Sequence, residues 1–180
     1  MRACDVQAVL YDWDRQGRYV FTKGDLALLL NDPSENALNE TLRRSCRQGT
    51  LVHAARSVYV NARSAHVGPV TIEYVARALR RGHYVFESLE SAASQWGDIS
   101  QVPLGRITCM TTGRKGTYRT PYGVIELVHT AAAFADIAAH LVERPGHAIP
   151  IASREYTLAA LRRTGRSREL LEEGACDAEW

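Results

Sequence analysis

Lysine is nearly missing from this chain. Only Lys23 and Lys115 are lysines among its 22 basic residues. Arginine offers a planar fork of donors suited to phosphate and guanine edges, which lysine does not match. A GC-rich genome preferring arginine codons produces the same bias, so composition alone admits both readings. Cysteine is scarce and scattered: the four residues Cys4, Cys46, Cys109 and Cys176 form no C-x-x-C pair and have no histidine at ligand spacing. That excludes a zinc module and a disulfide framework. No apolar run approaches the roughly 18 residues of a membrane span. The opening Met1-Arg2-Ala3-Cys4-Asp5 meets an acid at once and lacks the apolar stretch of a signal peptide. These absences lead us to expect a soluble, reduced, cytoplasmic protein.

Catalytic motifs are missing too. Gly113-Arg114-Lys115-Gly116-Thr117 lacks the G-x-x-x-x-G-K-[ST] spacing of a phosphate loop, so it reads as a β-turn. The six histidines are dispersed with no G-x-S-x-G nucleophile elbow near them. Glu87 and Glu90 are three apart and compatible with a shared cleft, but a helix N-terminus also favours acids there. No enzyme activity, metal or cofactor is expected.

What is present is a protein of ordinary globular composition, 46% hydrophobic and 23% charged, with a net charge of only +2. Its 180 residues suit one domain or two small ones. Thr22-Lys23-Gly24-Asp25 is a capping-box pattern, and Leu26, Leu29 and Leu30 follow as one apolar face, predicting a short helix that stops near Asn31. Asp32-Pro33-Ser34-Glu35 then starts a second helix, with Asp32 as N-cap, Pro33 at the first position and Glu35 at the third. This helix runs to about Gln48, and Gly49 ends it. Two helices joined so tightly are the skeleton of a helix-turn-helix.

The second helix has two faces. Leu38, Leu42 and Ser45 cluster on one, suited to the leucines of the preceding helix. Asn36, Glu40, Arg43 and Arg47 form the opposite stripe, with Asn39 beside it. Asparagine reads adenine and arginine reads guanine through paired hydrogen bonds, so this stripe suits major-groove readout. Glu40 either accepts from cytosine or pairs with Arg43 or Arg44. Leu51–His53 and Val58–Val60 then predict a β-hairpin about Ala54-Ala55-Arg56-Ser57, a wing with Arg56 near its tip. No acid occurs from Thr41 to Ile72, while Arg43, Arg44, Arg47, Arg56 and Arg63 all fall there, as a phosphate-facing surface requires. A generic helical hairpin with a solvated charged face would carry the same stripe.

Asn61–Pro69 reads as a linker. Beyond it a helix built on Ile72, Val75, Ala76 and Leu79, a strand at Tyr84–Phe86, a helix over Ser88–Trp96 and extended Gln101–Pro103 are expected. A strand over Arg106–Thr112, a turn at Gly113–Gly116, a strand at Val124–Val128 and helices at Ala131–Val142, Glu155–Arg163 and Ser167–Glu173 complete a mixed unit. The fold class is therefore α+β: a winged helix-turn-helix over residues 1–63, then a small mixed α/β domain over 64–180, loose after 174. A second acid-free stretch, Ser100 to Ile125, offers Arg106, Arg114, Lys115 and Arg119 as a second basic face. The tail splits into Arg162, Arg163, Arg166 and Arg168 followed by Glu169, Glu172, Glu173, Asp177 and Glu179.

The order of these segments resembles the AbiEi family of type IV toxin–antitoxin antitoxins. Phe21-Thr22-Lys23-Gly24-Asp25-Leu26, the second helix, and a hairpin ending Val58-Tyr59-Val60 are similar to that family's N-terminal winged helix. Tyr84-Val85-Phe86-Glu87-Ser88-Leu89-Glu90-Ser91-Ala92, then Trp96-Gly97-Asp98-Ile99 and Gln101-Val102-Pro103, resemble its strand–helix signature. Ile107–Thr112, Thr120-Pro121-Tyr122-Gly123 and Ile151-Ala152-Ser153-Arg154-Glu155 resemble later landmarks. Ala93 stands where leucine is common, Ser57 where glycine is frequent and Arg154 where proline is usual. The resemblance spans most of residues 15–163. It implies a DNA-binding autorepressor acting on inverted repeats in its own promoter, for phage defence. Its C-terminal domain would counteract a nucleotidyltransferase-like toxin without requiring a stable complex. Bases would be read by Asn36, Asn39, Arg43 and Ser34, with Lys23, Arg47 and Arg56 on phosphate. A winged-helix transcription factor with a ligand-sensing or dimerisation domain and no toxin, or a module that binds only proteins, would share the local patterns.

Overall fold

The computed structural model describes residues 3–31, 34–99 and 104–166. The chain is mixed α+β and divides into two compact units, Met1–Leu79 and Arg80–Trp180. The division therefore falls after Leu79 and not after residue 63. The cause is the helix expected to open the second part: its Thr71 hydroxyl lies 3.2 Å from the Tyr19 hydroxyl, and its Tyr74 ring packs 5.1 Å from the Tyr19 ring.

In the first unit the order is α1 (Ala3–Asp14), β1 (Val20–Thr22), α2 (Lys23–Leu29), α3 (Glu35–Arg47), β2 (Leu51–Ala55), β3 (Val58–Asn61) and α4 (Thr71–Leu79). The capping box forms as its sequence predicts. Thr22 accepts from the Asp25 backbone at 3.1 Å, and the Asp25 carboxylate accepts from the Thr22 backbone at 2.8 Å. The start of α3 differs from expectation: Ser34 is the N-cap, accepting from the Ala37 backbone at 3.1 Å. Asp32 and Pro33, expected at the first positions, lie outside the described residues. Leu38 and Leu42 of α3 join Phe21, Leu26, Leu30 and Leu51 in one buried cluster. Each such side chain contributes about 1.5–3 kcal/mol by leaving water.

The same cluster contains Val6 and Leu10 of α1, a helix that the sequence motifs do not predict. Its signal was present as Val6, Leu10 and Trp13 at helical spacing, but the segment lacks a turn or cap motif to mark its start. The sheet order is β1-β3-β2, all antiparallel. Residues 54–57 were expected as the hairpin turn. Instead β2 continues to Ala55, which pairs with Val58, leaving a two-residue turn of Arg56 and Ser57. Ser57 takes φ 59° there, a left-handed conformation that glycine adopts more cheaply.

The second unit holds β4 (Val85–Glu87), α5 (Leu89–Trp96), β5 (Arg106–Thr111), β6 (Gly116–Thr120) and β7 (Gly123–His129). After them come α6 (Phe134–Ala138), β8 (Leu141–Val142), β9 (Ile151–Ala152) and α7 (Arg154–Thr164). The strand order is β6-β7-β5-β4-β9-β8, with β5–β7 and β4–β9 parallel and the other pairs antiparallel. Phe86, Met110 and Ala152 gather with Leu89 and Ala93 of α5 and Ala160 and Leu161 of α7 into the buried core. The helix expected over Ala131–Val142 shrinks to Phe134–Ala138. Leu141 and Val142 pair with Ala152 and Ile151 as a strand, so sheet pairing overrides the helix preference of the alanines. β6 and β9 were also not foreseen: β6 forms a tight hairpin with β7 about Pro121 and Tyr122, and two-residue β9 pairs with β4 and β8. Expectations for Gln101–Pro103, Ser167–Glu173 and the tail after 174 lie outside the described residues. Among the described residues no helix is long and apolar enough to cross a membrane.

Replacing Thr22 by alanine removes the cap and is expected to cost about 1 kcal/mol. Leu42→Ala is expected to cost about 2–5 kcal/mol. Urea unfolding of both variants, read as midpoint shifts at constant slope, checks this ranking; equal losses would contradict the burial argument.

Candidate nucleic-acid interface

The inward leucines of α3 decide what the helix leaves outside. With Leu38, Thr41, Leu42 and Ser45 buried, Asn36, Glu40, Arg43 and Arg47 are exposed and Asn39 is half-buried. Opposite them, Phe21 of β1, Tyr59 of β3 and His53 of β2 stand in one row across the sheet. Burial falls along that row, from fully buried Phe21 to exposed His53. The His53 and Tyr59 rings lie 4.9 Å apart. Between the helix and this row runs a groove of about 700 Å³, lined by Asn39, Arg43 and Arg47 on one wall and by His53 and Tyr59 on the other. Glu40, Leu42 and Cys46 complete its walls.

The groove is chemically mixed: an amide, two guanidinium groups, a carboxylate, a phenol and an imidazole. Burial pushes the Tyr59 phenol up from its ordinary value, with the Lys23 and Arg43 charges acting against that shift. Burial likewise raises the Cys46 thiol, against a hydrogen bond involving the His53 backbone. Both groups therefore stay protonated at neutral pH, and Tyr59 keeps a donor. Glu40 pairs with Arg47 at 3.0 Å and reaches Arg43 at 4.0 Å, all three side chains being well exposed. The expected alternatives for Glu40 were Arg43 and Arg44; Arg47, two turns on, is the nearer partner. Exposed pairs of this kind contribute at most about 1 kcal/mol. A phosphate would displace such a carboxylate with little penalty.

Lys23 and Ser34 belong to an adjoining depression, lined also by Glu35 and Ser57. The Lys23 ammonium sits 2.7 Å from Glu35 and holds its carboxyl below the usual range. Lys23 thus carries a local acid that the sequence reading did not assign to it. Its backbone N–H also donates to the Ser57 carbonyl at 2.8 Å, tying the start of α2 to the tip of the hairpin. Arg56 is exposed at that tip and Asn36 is exposed on α3; neither lines the main groove. Asn39, Arg43 and Arg47 are therefore the expected residues that the fold brings together. Tyr59 and His53 are the ones that sequence reasoning passed over. Their signal was the pairing of the two hairpin strands, which sets His53 against Tyr59.

The second basic face does not form as one surface. Arg106 and Arg119 are both in register with Val124 on opposite sides of β7 and share a sheet face. Arg114 and Lys115 lie in the turn between β5 and β6, at the other end of β7. Arg106 is moreover paired with Glu126, which also receives two bonds from Arg166 at 2.8 and 3.1 Å. Glu87 and Glu90 each meet an arginine, Glu87 with Arg144 at 2.7 Å and Glu90 with Arg166 at 2.7 Å. Among the described residues no group of three His, Cys, Asp or Glu side chains could hold a metal.

No protein-family model matches the chain, and no curated protein matches it. Among solved structures it is similar to the RV2827C protein from Mycobacterium tuberculosis. The TM-score is 0.55 at 21% sequence identity, over 89% of this chain and 61% of that one. This chain therefore spans about three fifths of that protein's length. At that identity the likeness concerns the fold alone.

Arg166 first, and Arg106 with it, holds the Glu126 carboxyl below its ordinary value of 4.5. A lowered folded value contributes stability above the unfolded value that is lost as pH falls through the folded one. Glu126→Gln is expected to destabilise the protein at neutral pH. Its deficit against the wild type should close as pH drops below about 4.5. Thermal unfolding of both proteins across that range checks this, and a deficit independent of pH would contradict it.

Proposed function

We propose that the Met1–Leu79 unit is a winged helix-turn-helix domain that binds duplex DNA, with α3 in the major groove and the β2–β3 hairpin as the wing. The observation that carries this is the groove in which Asn39, Arg43 and Arg47 of α3 face the hairpin residues His53 and Tyr59. A helix bearing an amide and two guanidinium groups on its outer side can pair with adenine, guanine and phosphate. The hairpin beside it carries Arg56 at its tip, within a stretch that has no acid from Thr41 to Ile72. In this reading Asn36, Asn39 and Arg43 read bases with Ser34 at the helix start. Lys23, Arg47 and Arg56 contact phosphate, Lys23 after exchanging Glu35.

The whole chain then acts as antitoxin and autorepressor of a type IV toxin–antitoxin operon. The first unit binds promoter repeats, and the Arg80–Trp180 unit counteracts a nucleotidyltransferase-like toxin. The support for the antitoxin half is the order of the AbiEi-like segments. A nucleotidyltransferase in the neighbouring reading frame, neutralised on co-expression, is the corresponding test.

For DNA binding the test is titration of the purified protein against its promoter duplex and a scrambled duplex at several salt concentrations. Promoter-selective binding is expected, with a log–log salt slope of about 0.9 per phosphate contact. Asn39→Ala and Arg43→Ala should each weaken specific binding by roughly 5- to 150-fold. Weak binding, equal for both duplexes and indifferent to these changes, would overturn the proposal.

A further inference from the structure

One end of the second unit's sheet leaves two aromatic rings in water. Tyr84 and Phe134 are 46% and 53% exposed, and their rings stack on each other at 4.4 Å and 21° from parallel. Three segments meet there. Tyr84 is bonded twice to Thr112: its N–H donates to the Thr112 hydroxyl at 3.1 Å, and the Thr112 N–H donates to its carbonyl at 3.2 Å. Thr112 opens the turn that carries Arg114 and Lys115, both exposed. Among the described residues neither side chain has an ion-pair partner.

The turn is held from both sides. Arg80 donates from Nε to the Arg114 carbonyl at 2.7 Å, and His129 donates from Nδ1 to the Gly113 carbonyl at 2.8 Å. A Cβ at Gly113 would stand 3.0 Å from the Arg80 and His83 side chains, tighter than an ordinary contact, so both pack closely on the loop. The result is a fixed arrangement of an aromatic stack, two outward cations and the exposed imidazoles of His83 and His129. Across residues 80–86, 111–116 and 129–136 the one carboxylate is Asp136.

We propose that this end of the sheet binds single-stranded nucleic acid, with an unpaired base extending the Tyr84–Phe134 stack and Arg114 and Lys115 on the adjoining phosphates. A purely apolar partner would leave the two cations uncompensated. A duplex keeps its bases stacked on each other and offers the rings no face. A single strand supplies a flat π-surface and a negative backbone at neighbouring positions, which is the combination these residues fit. The site is independent of the α3 groove and does not rest on the reading of that groove.

The test is fluorescence anisotropy of the full chain with short labelled single strands of one mixed sequence, as DNA and as RNA. Phe134→Ala, Phe134→Tyr, the pair Arg114→Ala/Lys115→Ala, and Arg43→Ala are measured beside the wild type, with circular dichroism to confirm folding. Binding is expected to fall roughly 5- to 100-fold in Phe134→Ala and to be retained in Phe134→Tyr. It should weaken, with a shallower salt slope, in the Arg114/Lys115 pair, and be unaffected by Arg43→Ala. The DNA and RNA arms show which sugar the site prefers; binding of either supports it. Three results would overturn the proposal: no binding of either strand, equal loss in Arg43→Ala, or a change in oligomeric state with unchanged affinity in Phe134→Ala. The last would make the rings a protein contact.

Discussion

The burial of Leu38 and Leu42 of α3 beside Phe21, Leu26, Leu30 and Leu51 is the contact on which the rest of the first unit depends. A helix that must turn these two leucines inward has no freedom left in how it presents its other residues. Asn39, Arg43 and Arg47 follow at 100° per residue, and the hairpin supplies the facing wall because Leu51, at its base, is anchored in the same cluster. Ser34 at the helix start and the Thr22–Asp25 box at the start of α2 fix where each helix begins. Since the exposed ion pairs on α3 hold it only weakly, the shape of the groove comes from the core and its charges stay available to a ligand.

The second unit settles its charges differently. Several of its acids are committed to arginines: Glu87 to Arg144, Glu126 to Arg106 and Arg166, and Asp98 to Arg154. In the Glu87–Arg144 pair Glu87 is buried and Arg144 partly buried, and breaking it would leave one charge without compensation, which costs far more than the pair contributes. These arginines therefore serve the fold. Arg154 donates from Nε to Asp98 at 2.8 Å and ties the start of α7 to the segment that follows α5. Among the described residues Arg114 and Lys115 have no such acidic partner, and they lie at the end of the sheet with the exposed Tyr84 and Phe134 rings.

Much of this was legible in the sequence where a local rule decides the outcome. The capping box at Thr22, the stop at Gly49, the inward leucines of α3 and the hairpin strands all follow from short-range chemistry. Gly49 indeed takes φ 66°. Where the outcome depends on distant partners, local reading failed. Leu141 and Val142 sit in a segment rich in helix formers, yet β9 claims them as a strand. The helix from Thr71 is docked by Tyr19, some fifty residues earlier, so the division between units lies beyond the linker-like Asn61–Pro69. Charge runs were the least reliable guide. The acid-free stretch from Ser100 to Ile125 said nothing of Glu126 beside Arg106, and sheet topology separated its four cations into two pairs. His53 and Tyr59 escaped notice because their importance comes from strand register, which residue type alone does not reveal.

Amide hydrogen exchange of the whole chain with and without its promoter duplex tests directly whether the α3 groove is the DNA surface. Slowed exchange in α3 and across the β2–β3 hairpin is expected, with the edge near Arg114 unchanged by duplex. Protection confined to the second unit, or none in α3, would contradict it.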